Sequence, residues 1–273
     1  MLEEGYYSGA IMKVQEQHWE NLFADRTSEG IAWHGLWTVY SPAKEVVKSY
    51  QGVRRFWANE DKTVITHSNH YSYSDGSTQE KTWKLEKATC NHPDGIIHPA
   101  ALSMRALSLG QGRMAWVSKK FEPGKPFGCE LFFQQEDWRT SIAHIYGESG
   151  NLEKVTQIRE HRGSLPYPTP GLEVKTIAGN WRGKKEAMSP DLKISPVEET
   201  QELVLDPTGG KNETLFLPDG VIVNICKTPK LGEDFEIVAG KFVSKQKYKR
   251  LSAKYDNYGA FKMLISEIFY LEE

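Results

Sequence analysis

The sequence predicts an all-β chain, two consecutive antiparallel β-barrels preceded by a short helix, and three observations carry that prediction. The first is a repeat. Trp33-His34-Gly35, five residues, then Ser41-Pro42 recurs as Trp181-Arg182-Gly183, five residues, then Ser189-Pro190. Two echoes follow in the same order: residues 91–97 with 216–222, each holding Pro-Asp-Gly, and residues 141–158 with 250–267, each turning at a glycine, Gly150 and Gly259. Such a period is far longer than a solenoid unit, so each copy is expected to be a domain. The second observation is a series of short β-branched and aromatic runs joined by Gly, Pro and Asp turns. The third is residues 163–171, which hold three prolines in nine residues and read as a stiff connector. The expected boundaries are therefore 1–162, 163–171 and 172–273.

Taken in order, residues 1–12 are expected to be loosely held. The helix is expected at 13–24, where Val14, Trp19, Leu22 and Phe23 leave an apolar stripe at roughly helical spacing. Polar residues 25–30 end it. Strands then read at 36–40, 63–73 and 79–85, with a turn at Asp75-Gly76-Ser77. Residues 100–109 suit either a strand or a helix. Residues 113–119, 129–135, 138–146 and 152–162 read as an up-and-down series. After the connector come 199–205, 213–217, 221–225, 235–238, 241–244, 248–255 and 261–271, separated by turns such as Pro218-Asp219-Gly220. Many short strands and one helix fit antiparallel barrels or sandwiches, and closing a sheet removes its exposed edges.

Composition excludes several classes. Hydrophobic content of 39% and charged content of 26% fit a globular chain. A net charge of −2 gives no pull toward nucleic acid. No stretch approaches the length of a membrane span, and nothing sets an oligomeric state. The start, Met1-Leu2-Glu3-Glu4-Gly5, has no basic or apolar leader character, so a cytoplasmic location is expected. Three widely spaced cysteines, Cys90, Cys129 and Cys226, argue against a disulfide framework or a cysteine-held zinc. The nucleophile elbow, the phosphate loop, the dinucleotide fingerprint and the zincin motif are all missing. Neither a cofactor nor a metal is expected. His67 and His70 stand three apart on one strand and so point to opposite faces.

The two copies differ in chemistry. All eight histidines and seven of eight tryptophans precede residue 163. A site is therefore expected in the first barrel. An eight-stranded barrel has room for one small ligand. Trp57, Trp83, Trp116, Phe132 and Tyr146 are candidates to line such a cavity, with Arg139 as a polar anchor. On 138–146 the even and odd faces are both of mixed polarity, so parity alone leaves the inward face open. Glu130, Arg139 and Glu160 lie on neighbouring strands. Pointing inward they must pair and become an anchor or an acid/base set; pointing outward they form a surface salt bridge. His98, before Pro99, is a candidate general base at a cavity mouth, or an ordinary hydrogen-bonding histidine. The basic run 245–250 leads into a strand and reads as a solvated hairpin.

Gly179-Asn180-Trp181 and, one residue longer than the pattern, Gly30-Ile31-Ala32-Trp33, each followed by an antiparallel meander, resemble the Gly-x-Trp signature of the calycin superfamily, the lipocalin-like barrels. With His18-Trp19-Glu20-Asn21-Leu22, Trp33-x-Gly35 and the late strand, Tyr, Gly-turn, strand pattern, residues 13–273 are similar to an uncharacterised, mainly cyanobacterial family of tandem lipocalin-like proteins. The resemblance implies that Trp33 and Trp181 pack on the barrel floors against a basic residue, Arg159 or Arg162 in the first copy; the last strand of the second copy lacks such an arginine, so either its floor contact differs or Arg250 supplies it. It implies two functions by analogy. One is binding of a small hydrophobic or aromatic ligand (pigment, tetrapyrrole or lipid-like) in the first barrel. The other is a cofactor-independent cyclase, isomerase or hydratase acting on an apolar intermediate, with His98, Glu130 and Glu160 as its catalytic groups. A scaffold that docks a protein between the barrels is a third.

Overall fold

The computed structural model describes residues 2–23, 27, 31–110, 112–166, 171–174, 177–200 and 203–272, with backbone alone for 2–12. Helix α1 (Leu2–Phe23) leads into β1 (Ala32–Tyr40), β2 (Val46–Ala58), β3 (Val64–Ser72) and β4 (Thr78–Glu86). A single helical turn, α2 (Lys87–Cys90), precedes β5 (Asn91–His92), β6 (Gly95–His98), β7 (Ala101–Gly110), β8 (Arg113–Ser118), β9 (Phe127–Gln135), β10 (Trp138–Tyr146) and β11 (Leu152–Arg162). A second set follows: β12 (Trp181–Met188), β13 (Glu198–Thr200), β14 (Glu213–Leu217), β15 (Val221–Ile225), β16 (Phe235–Ser244), β17 (Lys247–Tyr255) and β18 (Phe261–Leu271). The chain is all-β apart from its helices, and every strand pair is antiparallel.

The two sheets share one connection scheme. In each, the first strand pairs with the last: β1 with β11 and β12 with β18. The first sheet thereby becomes a nearly closed barrel of order β4-β3-β2-β1-β11-β10-β9-β8-β7-β6-β5. Its seam lies between β4 and β5, strands joined in sequence by α2 and not hydrogen-bonded to each other. The register at the closing pair also recurs. Gly35 stands opposite Glu160, and Gly183 stands opposite Phe269. Both glycines are required by close approach. A Cβ on Gly35 would meet Arg159 O at 2.8 Å and Glu160 Cγ at 2.7 Å; one on Gly183 would meet Ile268 O at 2.5 Å. The two Pro-Asp-Gly turns do not share a place. Pro93-Asp94-Gly95 lies between β5 and β6, whereas Pro218-Asp219-Gly220 joins β14 to β15, the counterpart of the β7–β8 hairpin when strands are counted back from the last.

The sheets pack on each other through a shared core. Leu131, Phe133, Ile142, Tyr146 and Val155 of the first sheet join Val221, Val223, Ile237, Ala239, Leu251, Ala253 and Leu264 of the second. Phe127 contacts Phe121 and Tyr146 on its own side and Phe235 and Tyr255 across. Backbone and side-chain hydrogen bonds also cross: Phe121 N to Gly259 O at 2.7 Å, Leu152 N to Lys227 O at 2.9 Å, and Tyr146 Oη to Cys226 O at 2.7 Å. Strands β9 and β10 are thus covered on both faces, by the barrel interior and by the second sheet. This is why neither face of 138–146 reads as cleanly apolar. Buried strands lose the alternation that one wet face imposes.

Several elements depart from the expectations. Strand β2 carries no clear signal in Val46-Val47-Lys48-Ser49-Tyr50-Gln51-Gly52, because its first half is exposed. Gly52 is required there: an added Cβ would lie 2.6 Å from the Trp37 ring. Residues 101–110 form a strand, β7. The segments 235–238 and 241–244 are one continuous strand, β16. Helix α1 begins at Leu2 rather than Lys13; Gly5 and Gly9 lower the helical preference of that stretch. Of the Pro-rich connector, residues 167–170 lie outside the described residues, as do Ala24 at the expected helix end and most of the 25–30 break.

A shared core predicts shared unfolding. Phe127→Ala is expected to lower stability by about 3–5 kcal/mol. Urea curves followed by tryptophan fluorescence, which reports mainly the first sheet, and by far-ultraviolet circular dichroism, which reports both, are expected to coincide in the wild type. Separated transitions would show that the two sheets fold independently.

Candidate functional site: a polar-anchored aromatic cavity in the first barrel

Helix α1 closes one end of the first barrel. Trp19, Leu22 and Phe23 pack with Ile65, Leu85, Ile96, Met114 and Phe132. The helix is tied down at His18, whose Nε2 meets Ala106 O at 3.1 Å, and at Trp19, whose Nε1 donates to Lys62 O at 3.1 Å. Above this plug lies a cavity of about 320 Å³. The register places Trp37, Tyr71, Met104 and Ile145 toward the opposite end of the barrel. All four line the cavity.

One wall is a run of rings. Phe56 stacks on His67 at 4.3 Å, Trp83 lies 5.0 Å from His67 and 4.9 Å from His98, and His98 meets the Trp116 edge at 5.6 Å. The histidines are linked in one direction. The Ala100 amide donates to His98 Nδ1 at 3.1 Å, which fixes the proton on His98 Nε2. That nitrogen donates to His67 Nδ1 at 3.0 Å, and His67 Nε2 donates to Asn69 Oδ1 at 3.1 Å. The Asn69 amide then donates to Tyr71 Oη at 2.8 Å. Tautomers and amide orientation follow from this network. Both histidines are neutral. Burial, with Arg54 nearby, lowers His98 to about 4, and burial, Arg54 and His98 hold His67 well below its usual range.

A charged layer sits beside the aromatic wall. Glu160 is fully buried; its Oε2 receives Arg139 Nε at 2.7 Å and its Oε1 lies 3.3 Å from Arg54 Nε. The Arg139 guanidinium lies 4.4 Å from the Trp33 ring, with Arg162 5.3 Å from that ring. The floor tryptophan therefore has basic neighbours from β10 and from the last strand. Arg159 instead lies over Trp138 and pairs with Asp219 at 2.9 Å. Glu130 accepts from Ser141 Oγ at 2.7 Å, and burial raises its pKa against the pull of Arg54. Burial opposes the charge of Arg54, but Glu160 and Glu130 outweigh it and its pKa rises. The second barrel differs at the matching slot. Phe269 replaces Glu160, and Arg250 lies over Phe269 at 5.1 Å while pairing with Glu267 at 2.6 Å. Trp181 there meets the Phe242 edge.

Of the residues picked out by sequence, Trp83, Trp116, Phe132, His98, Glu130 and Arg139 line the cavity. Glu160 lies behind them, clamped by two arginines. Trp57 is 43% exposed and Tyr146 is turned into the shared core, because both alternate to the face opposite the cavity. Sequence reasoning missed Trp37, Arg54, Phe56, His67, Asn69 and Tyr71. Arg54 and Phe56 sit on the unrecognised β2. His67, Asn69 and Tyr71 recur at every second residue, a spacing that puts three polar groups on one face of a strand and could have revealed them. A larger groove of about 550 Å³ on the second sheet is lined by pairs of opposite charge, such as Lys254 with Glu236 and Lys262 with Asp234. It is open and mixed in charge, and offers no comparable set of convergent groups. Among the described residues, no group of three or more His, Cys, Asp or Glu is placed to hold a metal, and no helix is long and apolar enough to cross a membrane.

Residues 15–165 match the family model described as "Domain of unknown function (DUF3598), N-terminal". The match spans more than half of the chain, and the chain belongs to the DUF3598 family. A crystal structure of a DUF3598-family protein of unknown function from Nostoc punctiforme, a cyanobacterium, has the same fold, with a TM-score of 0.72 at 18% identity over 93% of this chain and 99% of that one. The S-type phycobiliprotein lyase CPES from Guillardia theta is similar at a TM-score of 0.36 and 11% identity, over 56% of this chain and 97% of that chain, a remote likeness. No curated protein matches the sequence.

Two predictions follow from the buried charges. Glu160→Gln leaves two buried guanidiniums without their carboxylate and is expected to cost about 3–5 kcal/mol, read as a drop in the urea midpoint. Stability is also expected to depend on pH. His98 and His144 have folded pKa values of about 4 against 6.5 for the free side chain. The unfolded chain therefore takes protons first, so stability is complete above about pH 6.5 and is lost as pH falls toward 4. Urea midpoints at pH 7.5, 6 and 5 measure the slope, and His98→Asn is expected to flatten it.

Proposed function

We propose that this DUF3598 chain binds one small hydrophobic or aromatic molecule, of the pigment, tetrapyrrole or lipid-like kind, inside the first barrel. A single observation carries the reading: an aromatic cavity, plugged by α1, in which a few fixed polar groups converge. Its volume of about 320 Å³ is at the small end for ligand sites. A compact two- or three-ring molecule fills it, while a longer tetrapyrrole or lipid leaves part of its length at the mouth. Trp83, Trp116 and Phe132 supply ring faces, and Arg139 supplies cationic edge density behind Phe132.

A second reading, a cofactor-independent cyclase, isomerase or hydratase, is favoured by Glu130. A buried carboxyl with a raised pKa, facing an apolar cavity, is suited to donate a proton. His98 uses both ring nitrogens within the protein and Glu160 is ion-paired with two arginines behind the cavity lining, so proton transfer in this reading falls to Glu130.

The test is titration with the neutral fluorophore N-phenyl-1-naphthylamine. Saturable one-to-one enhancement is expected, with tryptophan quenching, and Trp116→Ala is expected to weaken it about tenfold while the far-ultraviolet spectrum stays unchanged. Non-saturable binding, or binding indifferent to Trp116→Ala and Trp83→Ala, would remove the cavity from consideration.

A further inference from the structure

We infer that the first-barrel cavity selects a planar ligand bearing a carboxylate, which the Arg54 guanidinium receives and to which the Tyr71 hydroxyl donates. This rests on the binding reading above and narrows it to a chemical class.

The first observation is donor capacity left over inside the barrel. Arg54 is 8% exposed and lines the cavity. Its Nε lies 3.3 Å from Glu160 Oε1 yet is buried without a hydrogen-bond partner, so the guanidinium is ion-paired there but not saturated. Arg139, 1% exposed, likewise directs Nε at Glu160 and leaves Nη2 buried without an acceptor. Unmet donors at this depth are costly, and more so when charged. One carboxylate, with two oxygens and about four lone-pair directions, is the smallest group that answers a guanidinium fork. The protein's own carboxylates do not do so. Glu160 is ion-paired with two arginines behind the cavity lining, and Glu130 is turned to Ser141.

The second observation is the direction of the relay. Its first donor, the Ala100 amide, cannot reverse. Every later link is therefore fixed: His98 to His67, His67 to Asn69, Asn69 to Tyr71. Tyr71 Oη is left accepting from Asn69 and must direct its own proton elsewhere. Tyr71 lines the same cavity as Arg54, and the two residues stand on adjacent strands, β3 and β2. The relay thus presets a donor for an oxygen acceptor at the end where Arg54 waits. The third observation is the shape of the walls. Trp83 and Trp116 offer ring surface to the ligand body, and the Arg54 guanidinium lies over the Trp37 ring at 5.7 Å. A π-stacked guanidinium keeps its edge free for a carboxylate.

The probes that test this are anthracene-9-carboxylate and its neutral isostere anthracene-9-carboxamide, titrated by fluorescence at pH 7.5 into the full chain. The carboxylate is expected to bind about tenfold or more tighter. Tyr71→Phe is expected to cut that preference several-fold and Arg54→Gln to abolish it, the preference being the ratio of the two anthracene affinities within each variant. Equal affinity for the two anthracenes in the wild type overturns the inference and leaves the cavity reading standing, as does a preference undiminished in folded Arg54→Gln. If Arg54→Gln does not fold, the wild-type ratio and Tyr71→Phe decide. Failure of the anthracenes together with N-phenyl-1-naphthylamine removes the binding reading itself, and the inference with it.

Discussion

Glu160 is the constraint around which the first barrel is arranged. A carboxylate with no exposed surface is tolerated only if its charge is met, and two arginines from different strands meet it. That requirement fixes β2 and β10 on either side of the β1–β11 closure. It also fixes what stands opposite. The strand facing Glu160 must carry a residue without a Cβ, and Gly35 does so. Trp33, two residues earlier, then caps the Arg139 guanidinium. The Trp-x-Gly motif is thus one half of a floor whose other half is a buried ion cluster. In the second sheet the glycine persists while Phe269 fills the slot, so the geometry is kept without the charge.

The two sheets also divide the labour of burial. The second lends its outer face to the first, and the strands between them, β9, β10, β15 and β16, are dry on both sides. A barrel with a polar-lined hollow holds less apolar packing than a filled one. Part of its hydrophobic stabilisation is therefore supplied from outside, through Phe127, Ile142 and Tyr146 against Phe235, Leu251 and Tyr255. The interior is freed to carry charge and open volume.

How much of this was legible in the sequence depended on which physical signal each residue carried. The repeat was legible because Gly35 and Gly183 are required by close approach and Trp33 and Trp181 are buried beside them. The strands were legible where turns bounded them. Strand β2 was not, since half of it is wet and its inward residues, Arg54 and Phe56, look like any exposed mixed stretch. The concentration of histidine and tryptophan in the first half pointed to the barrel that holds the aromatic cavity. It could not say which of them face inward: Trp57 and Trp83 are equally aromatic, and only the register separates them. Tyr146 looked like a wall residue because the second sheet that receives it lies 80 positions later in the chain, at Cys226. Two-sided burial erases the periodicity on which such assignments rest.

The seam between β4 and β5 bears on the mechanics of the cavity. A fully hydrogen-bonded barrel resists radial strain, because any increase in girth must break a ladder. Here one line of the wall carries no ladder, and the turn α2, the α1 side chains packed on Leu85 and Ile96, and the Trp83–His98 ring contact bridge it. Swinging β4 outward about its pairing with β3 moves Trp83 and Leu85 away from His98 and ruptures no strand pairing. The seam is therefore held by side chains rather than by backbone hydrogen bonds, and the ion cluster lies away from it on β2, β10 and β11. Lys81 and Lys84 on the free strand make that flank an unfavourable template for another chain's edge.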